Sequence, residues 1–137
     1  MKIKGEDIKR LIPQREPFIM VDEFQQTADA SATTALTIGR GTYFLLPDGT
    51  MAETGLVEHM AQSAAALAGV SASTPRIGLI GEVKRFECLR RPMSGETVET
   101  QVTFGFSFGN VSVVRAESRV GSETIATAQM KIFIQDP

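Results

Sequence analysis

Glu58, His59 and Gln62 hold the most chemistry in this chain, because a carboxyl, an imidazole and a carboxamide close together can move and hold a proton. On a helix, Gln62 falls one turn after Glu58 and on the same face, so its amide could hold the Glu58 carboxyl by hydrogen bonding. His59 is the only histidine in the sequence. It lies about 100° further round the helix and cannot share that face with Glu58. A carboxyl at the start of a buried helix loses water, and desolvation favours the protonated form that can serve as an acid. Each residue also has a plainer reading: a glutamate in a first turn steadies the helix dipole, a lone histidine fills an interior or interface, and a Glu–Gln pair can be structural. Lys84, Arg85, Arg90 and Arg91 bracket one strand and the turn after it. They either meet an acidic or phosphorylated partner or decorate a solvated edge. Phe104, Phe106 and Phe108, at every second position, would line either a core or an apolar tunnel.

The elements that must position these groups follow from periodicity. Leu56, Val57, Met60, Ala61, Ala64, Ala65, Leu67 and Ala68 recur at helical spacing, which predicts one long helix from Thr54 to about Val70. Thr54 is the expected N-cap and Gly69 the expected terminator. The alanine-rich second half lets another element approach closely, as a curved sheet wrapped round the helix would. Upstream, Gly5 to Ile12 reads as a short helix or turn ending at Pro13, and Phe18 to Phe24 and Ser31 to Ile38 read as extended. Pro47-Asp48-Gly49 is a turn. Downstream, a strand is expected from Arg76 to Glu87. Three more, at about 96–108, 111–120 and 123–134, are joined by the hairpin turns Gly109-Asn110 and Gly121-Ser122. Val98, Thr100, Val102, Phe104, Phe106 and Phe108 would share one buried face. One helix, early strands and a late antiparallel run make an α+β fold.

Composition bounds the rest. At 137 residues, 42% hydrophobic and 22% charged, the chain reads as one folded domain, 1–137. Fourteen Lys and Arg against 16 Asp and Glu leave a net charge of −2, which argues against nucleic acid as a partner. The single cysteine, Cys88, excludes an internal disulfide and any paired-cysteine zinc site, and reads as a small apolar filler. No apolar signal core or membrane-length run is present, so a cytoplasmic protein is expected. No phosphate loop, dinucleotide fingerprint or metal-ligand cluster is present either.

Three segments carry a family resemblance. Pro13-Gln14-Arg15-Glu16-Pro17-Phe18-Ile19-Met20-Val21-Asp22 resembles the PHRxPFLLVD signature of the 3-hydroxyacyl-acyl-carrier-protein dehydratases, with Gln14, read as structural, in place of histidine. Glu58-His59-Met60-Ala61-Gln62 resembles their EAMAQ segment, with His59 where alanine is usual. Arg90-Arg91-Pro92-Met93-Ser94-Gly95-Glu96 resembles their RRPVxPGD turn. The Thr54-Gly55-Leu56-Val57-Glu58 segment is similar to the dehydratase-like accessory proteins of aryl-polyene and flexirubin-type pigment clusters. One segment departs: the family's GHFPG loop carries a histidine that works with the helix glutamate across a dimer interface. Thr42-Tyr43-Phe44-Leu45-Leu46-Pro47-Asp48-Gly49 has none.

The resemblance implies a hotdog fold, an antiparallel sheet wrapped round one long central helix. It also implies an acyl thioester, on acyl carrier protein or coenzyme A, bound in a tunnel at a subunit interface. Dehydration needs a base for the proton beside the carbonyl, an acid for the departing hydroxyl and donors for the enolate-like oxygen. By this resemblance Glu58 is the acid, Gln62 its support and His59 the one imidazole at hand. Backbone N–H groups near Gly55 and Leu56 would polarise the thioester. Phe44, Phe104 and Phe106 would line the acyl site, and Arg90 and Arg91 would meet the carrier. No metal and no cofactor beyond the substrate's pantetheine arm is expected. Three functions stay open: a dehydratase with an altered site, a non-catalytic subunit paired with an active dehydratase, and an acyl thioesterase. A homodimer, a higher oligomer or such a heterodimer is expected.

Overall fold

The computed structural model describes residues 2–70, 75 and 77–135. In chain order come β1 (Lys2–Lys4), a 3-10 helix (Gly5–Arg10), β2 (Glu23–Ala28), β3 (Ser31–Thr37) and α1 (Glu53–Gly69). Then follow β4 (Ile77–Cys88), β5 (Thr97–Phe108), β6 (Val111–Val120) and β7 (Glu123–Gln135). The strands form a seven-stranded sheet in the order β1-β2-β3-β5-β6-β7-β4, every pairing antiparallel. It curls round α1, which buries Leu56, His59, Met60, Gln62 and the alanines 61 and 64–66. The alanines permit this closeness: a Cβ built on Gly78 of β4 would lie 3.4 Å from Ala65 Cβ. The buried apolar residues of sheet, helix and N-terminal segment form a single cluster.

Several expected boundaries move, each for a physical reason. Arg76, the expected start of β4, lies outside the described residues. Only Glu23 and Phe24 of the expected strand from Phe18 enter β2, because Phe18 and Met20 bond to a side chain of α1 instead of to a strand. The helix starts one residue early. Ala52 is the N-cap and makes no side-chain cap bond, while Thr54 lies within the first turn. Gly69 is the last helical residue rather than the terminator, and Val70 caps the end. The reason for glycine there is space: a Cβ would collide with the Leu11 carbonyl oxygen. β1 was not anticipated, being only three residues long. The two late hairpin turns fall where expected, with Gly109 at φ 62° and Gly121 at φ 59°.

The aromatic stripe is the largest correction. Phe104 pairs with Val114, whose side chain is buried, but a bulge before Ser107 changes the register, so Phe108 pairs with Val111. Val111 pairs with Phe133, which points away from α1. Phe106 and Phe108 are therefore 71% and 75% exposed instead of sharing the core face with Val98 and Val102.

The Gly69 contact is testable. Gly69→Ala should destabilise the chain by about 1–3 kcal/mol, as overpacking against rigid backbone does. Urea melts would show this as a lower midpoint with an unchanged slope; an unaltered midpoint would contradict the contact.

Candidate functional site

The site is built on the first two turns of α1. Glu58 and Gln62 share a face, as their spacing predicts, and Gln62 Nε2 donates to Glu58 Oε2 at 2.7 Å. The same nitrogen donates to the Phe18 carbonyl at 2.7 Å, and Gln62 Oε1 accepts from the Met20 N–H at 2.7 Å. This pattern fixes the amide's orientation, since a backbone N–H must face an oxygen and a carbonyl must face an N–H. Both amide hydrogens and the amide oxygen are thus committed. Glu58 Oε2 accepts, while Oε1 makes no hydrogen bond among the described residues. Beside this bracket Phe18, 48% exposed, packs on Tyr43, 55% exposed, with ring centres 4.7 Å apart. Tyr43 meets Phe44 edge-on at 5.2 Å.

Phe44 and Gly55 belong to the foundation of the helix start. The Phe44 carbonyl accepts from the Ala52 N–H at 3.0 Å. A Cβ on Gly55 would fall 2.8 Å from both Phe44 Cβ and Met51 Cγ, so glycine here is a packing requirement. Of the N–H groups expected to polarise a thioester, that of Gly55 already donates to the Ala52 carbonyl at 2.9 Å, and the Leu56 side chain is wholly buried.

His59 turns into the core instead. The Met20 carbonyl can only accept, so Nδ1 carries the hydrogen and donates to it at 2.6 Å. Nε2 is then an acceptor and receives the Thr100 hydroxyl at 2.8 Å; the Thr100 oxygen in turn receives the Ser118 hydroxyl at 2.6 Å. The ring is completely buried, and burial lowers its pKa to about 4 although the Met20 bond pulls the other way. A neutral imidazole with both nitrogens engaged in the interior cannot take a proton from a substrate beside Glu58. A parallel pair locks the helix to β3: Ser63 donates to the His59 carbonyl at 2.7 Å, leaving its oxygen to receive the Thr34 hydroxyl at 2.7 Å.

The arginines separate into two groups. Arg90 bonds Glu96 at 2.8 Å and Glu123 at 2.9 Å, and its guanidinium holds both carboxyls below the usual range. Arg91 bonds Thr50 at 3.0 Å and Asp48 at 3.1 Å and lies 3.6 Å from Glu53. The two brace the loop before α1 against the late strands. Arg85 makes no such ion pair among the described residues. Phe104 is half-buried against the core, whereas Phe106 sits in the exposed bulge, so the structure does not gather these residues around Glu58. Sequence reasoning missed the backbone of Phe18 and Met20 and the hydroxyls of Thr100 and Ser118. Backbone polar groups leave no trace in a motif, and a buried threonine reads like any strand residue. Among the described residues no group of three or more His, Cys, Asp or Glu is placed to hold a metal ion. No helix among them is long and apolar enough to cross a membrane.

Solved structures share this architecture. The chain is similar to the dehydratase heterocomplex ApeI:P of Xenorhabdus doucetiae, with TM-score 0.85 and 15% identity over 94% of this chain and 91% of that one. It is similar to an HP0420 homologue of Helicobacter felis, with TM-score 0.74 and 14% identity over 96% and 90%. A hypothetical thioesterase of Streptococcus pneumoniae solved with coenzyme A matches at TM-score 0.66 and 10% identity over 82% and 84%. The sequence matches no curated protein. These likenesses define the class by its fold: the hotdog proteins. Within that class the chain belongs to the ApeP-like family, described as ApeP dehydratase, whose profile matches residues 6–137.

The buried histidine makes stability depend on pH. Its pKa is about 4 in the folded chain and near 6.5 when unfolded. As pH falls below about 6.5 the unfolded chain takes up a proton that the folded chain refuses, so stability is lost until about pH 4 and the loss then levels off. The whole swing is worth about 3 kcal/mol. Urea melts across this window should show a larger acid loss for wild type than for His59→Gln, whose amide can bond to Met20 and Thr100 without titrating. Equal losses would place the ring in contact with water.

Proposed function

We propose that this chain is a dehydratase-like subunit that binds 3-hydroxyacyl thioesters and supplies Glu58 as the acid, while a second subunit supplies the base. The observation that carries this reading is the Glu58–Gln62 bracket with the chain's single histidine turned into the interior. In the reaction a base removes the proton beside the carbonyl, the C3–O bond breaks, and Glu58 Oε1 protonates the departing hydroxyl to give water and an enoyl thioester. Gln62 holds Oε2 as an acceptor, so the mobile proton belongs on Oε1. The exposed Phe18 and Tyr43 rings are suited to cover an acyl chain at the same place.

Two observations support a paired assembly. Among the described residues β4 is the sheet's terminal strand and is unpaired on one side, and its apolar Ile80 and Val83 are exposed. The similar Xenorhabdus doucetiae protein is part of a dehydratase heterocomplex. A homodimer would bring together two copies of Glu58 and two loops without histidine. An active dehydratase as partner supplies the missing group. The acyl group would arrive on a carrier protein or on coenzyme A, with its pantetheine arm as the only cofactor-like group. The pathway we favour is aryl-polyene synthesis, on the resemblance of the Thr54–Glu58 segment.

The test follows enoyl product and free thiol together from 3-hydroxyacyl-pantetheine thioesters, with the chain alone and co-purified with an active dehydratase. Alone, it should fall roughly 100- to 10,000-fold short of the paired complex, the usual worth of a missing acid–base partner. Glu58→Gln in the pair should remove the contribution of that site. Full activity of the isolated chain, or a Glu58→Gln pair as active as the wild-type pair, would overturn the reading. Thiol release without enoyl product would identify a thioesterase instead.

A further inference from the structure

Arg85 occupies an unusual backbone position. It has φ 53°, the left-handed region that a side chain with a Cβ rarely adopts. It lies where the β4–β7 register shifts between Lys84, opposite Gln129, and Glu87, opposite Thr127. Lys84 points away from α1, so ordinary alternation would turn Arg85 inward. The bulge sends Phe86 inward against the core instead and keeps Arg85 on the outer face. There it lines a groove of about 550 Å³ together with Arg115 of β6. The other polar walls are Gln101 and Thr103 of β5, Glu117 of β6 and Thr127 and Gln129 of β7.

The charge balance of this groove is uneven. Neither Arg85 nor Arg115 forms an ion pair or a side-chain hydrogen bond among the described residues, whereas Arg90 and Arg91 nearby are fully engaged. The one carboxylate in the lining, Glu117, already accepts from Thr124 at 2.9 Å and faces Arg119 at 3.4 Å. Two guanidinium groups therefore face a concave space whose remaining polar walls, Glu117 apart, are neutral amides and hydroxyls. The volume falls in the range of small-ligand sites, about 300–1,000 Å³. Donors on four strands suit a tetrahedral oxyanion better than a planar carboxylate, and paired arginines are favoured ligands of phosphate.

We propose that this outer-face groove binds a phosphate-type anion between Arg85 and Arg115. It is separate from the Glu58 bracket, since it lies on the face of the sheet turned away from α1. The phosphate could belong to a free small phosphoester or to a pantetheine arm; both present the same oxyanion.

Calorimetric titration at physiological ionic strength tests this with inorganic phosphate, pyrophosphate and phosphopantetheine as probes and glutarate as the carboxylate control. The phosphate probes should bind saturably and glutarate should not. Arg85→Gly and Arg115→Gln should each weaken binding by roughly tenfold or more, the worth of a charged hydrogen bond. Glycine tolerates φ 53°, so Arg85→Gly should keep or raise the thermal midpoint while losing the ligand; Arg115→Gln checks the site without touching the bulge. Tighter binding of phosphopantetheine than of pyrophosphate would assign the anion to a carrier arm, and the reverse order to a free phosphoester. Absent saturation, equal binding of glutarate, or unchanged affinity in both variants would overturn the proposal.

Discussion

Everything around the candidate site depends on one carboxamide. Gln62 is almost fully buried, and its three hydrogen-bonding positions tie the Phe18–Met20 backbone to α1 while fixing one oxygen of Glu58. Phe18 to Met20 contribute no strand pairing, so a side chain must satisfy the buried backbone groups that a sheet would otherwise serve. Leaving such groups unpaired costs about 1–3 kcal/mol each. The bracket thus joins core and site, because the residue that completes the core also fixes which Glu58 oxygen is left without a hydrogen bond among the described residues.

The histidine one position away shows how strongly helix geometry sorts roles. A step of about 100° takes the side chain from the half-exposed face to the middle of the core. There it joins Met20, Thr100 and Ser118 in a directed hydrogen-bond chain. Met20 is held from both sides, its N–H by Gln62 and its carbonyl by His59. In this ApeP-like chain the loop before α1 carries no histidine either, so no imidazole stands free beside Glu58.

Helix, hairpin turns and late meander could be read from sequence because each has a local cause: apolar spacing along α1, and glycine-containing turns at 109–110 and 121–122. The Glu58–Gln62 contact was legible for the same reason. What could not be read depends on departures from regular alternation or on distant partners. The bulge before Ser107 turns Phe108 outward, and the one after Lys84 reorients Arg85. Arg90 and Arg91 looked like free cations because their carboxylates lie up to 43 positions away in the chain.

Amide hydrogen exchange at Met20 tests the bracket most directly. Its N–H sits outside every strand, so its protection comes from Gln62 Oε1 and the burial around it. Exchange at Met20 should be slow in the wild type. Gln62→Leu, similar in bulk but without the acceptor, should accelerate exchange at this amide by roughly 100-fold while β5 to β7 stay protected. Fast exchange at Met20 in the wild type, or the same rate in Gln62→Leu, would contradict the bracket.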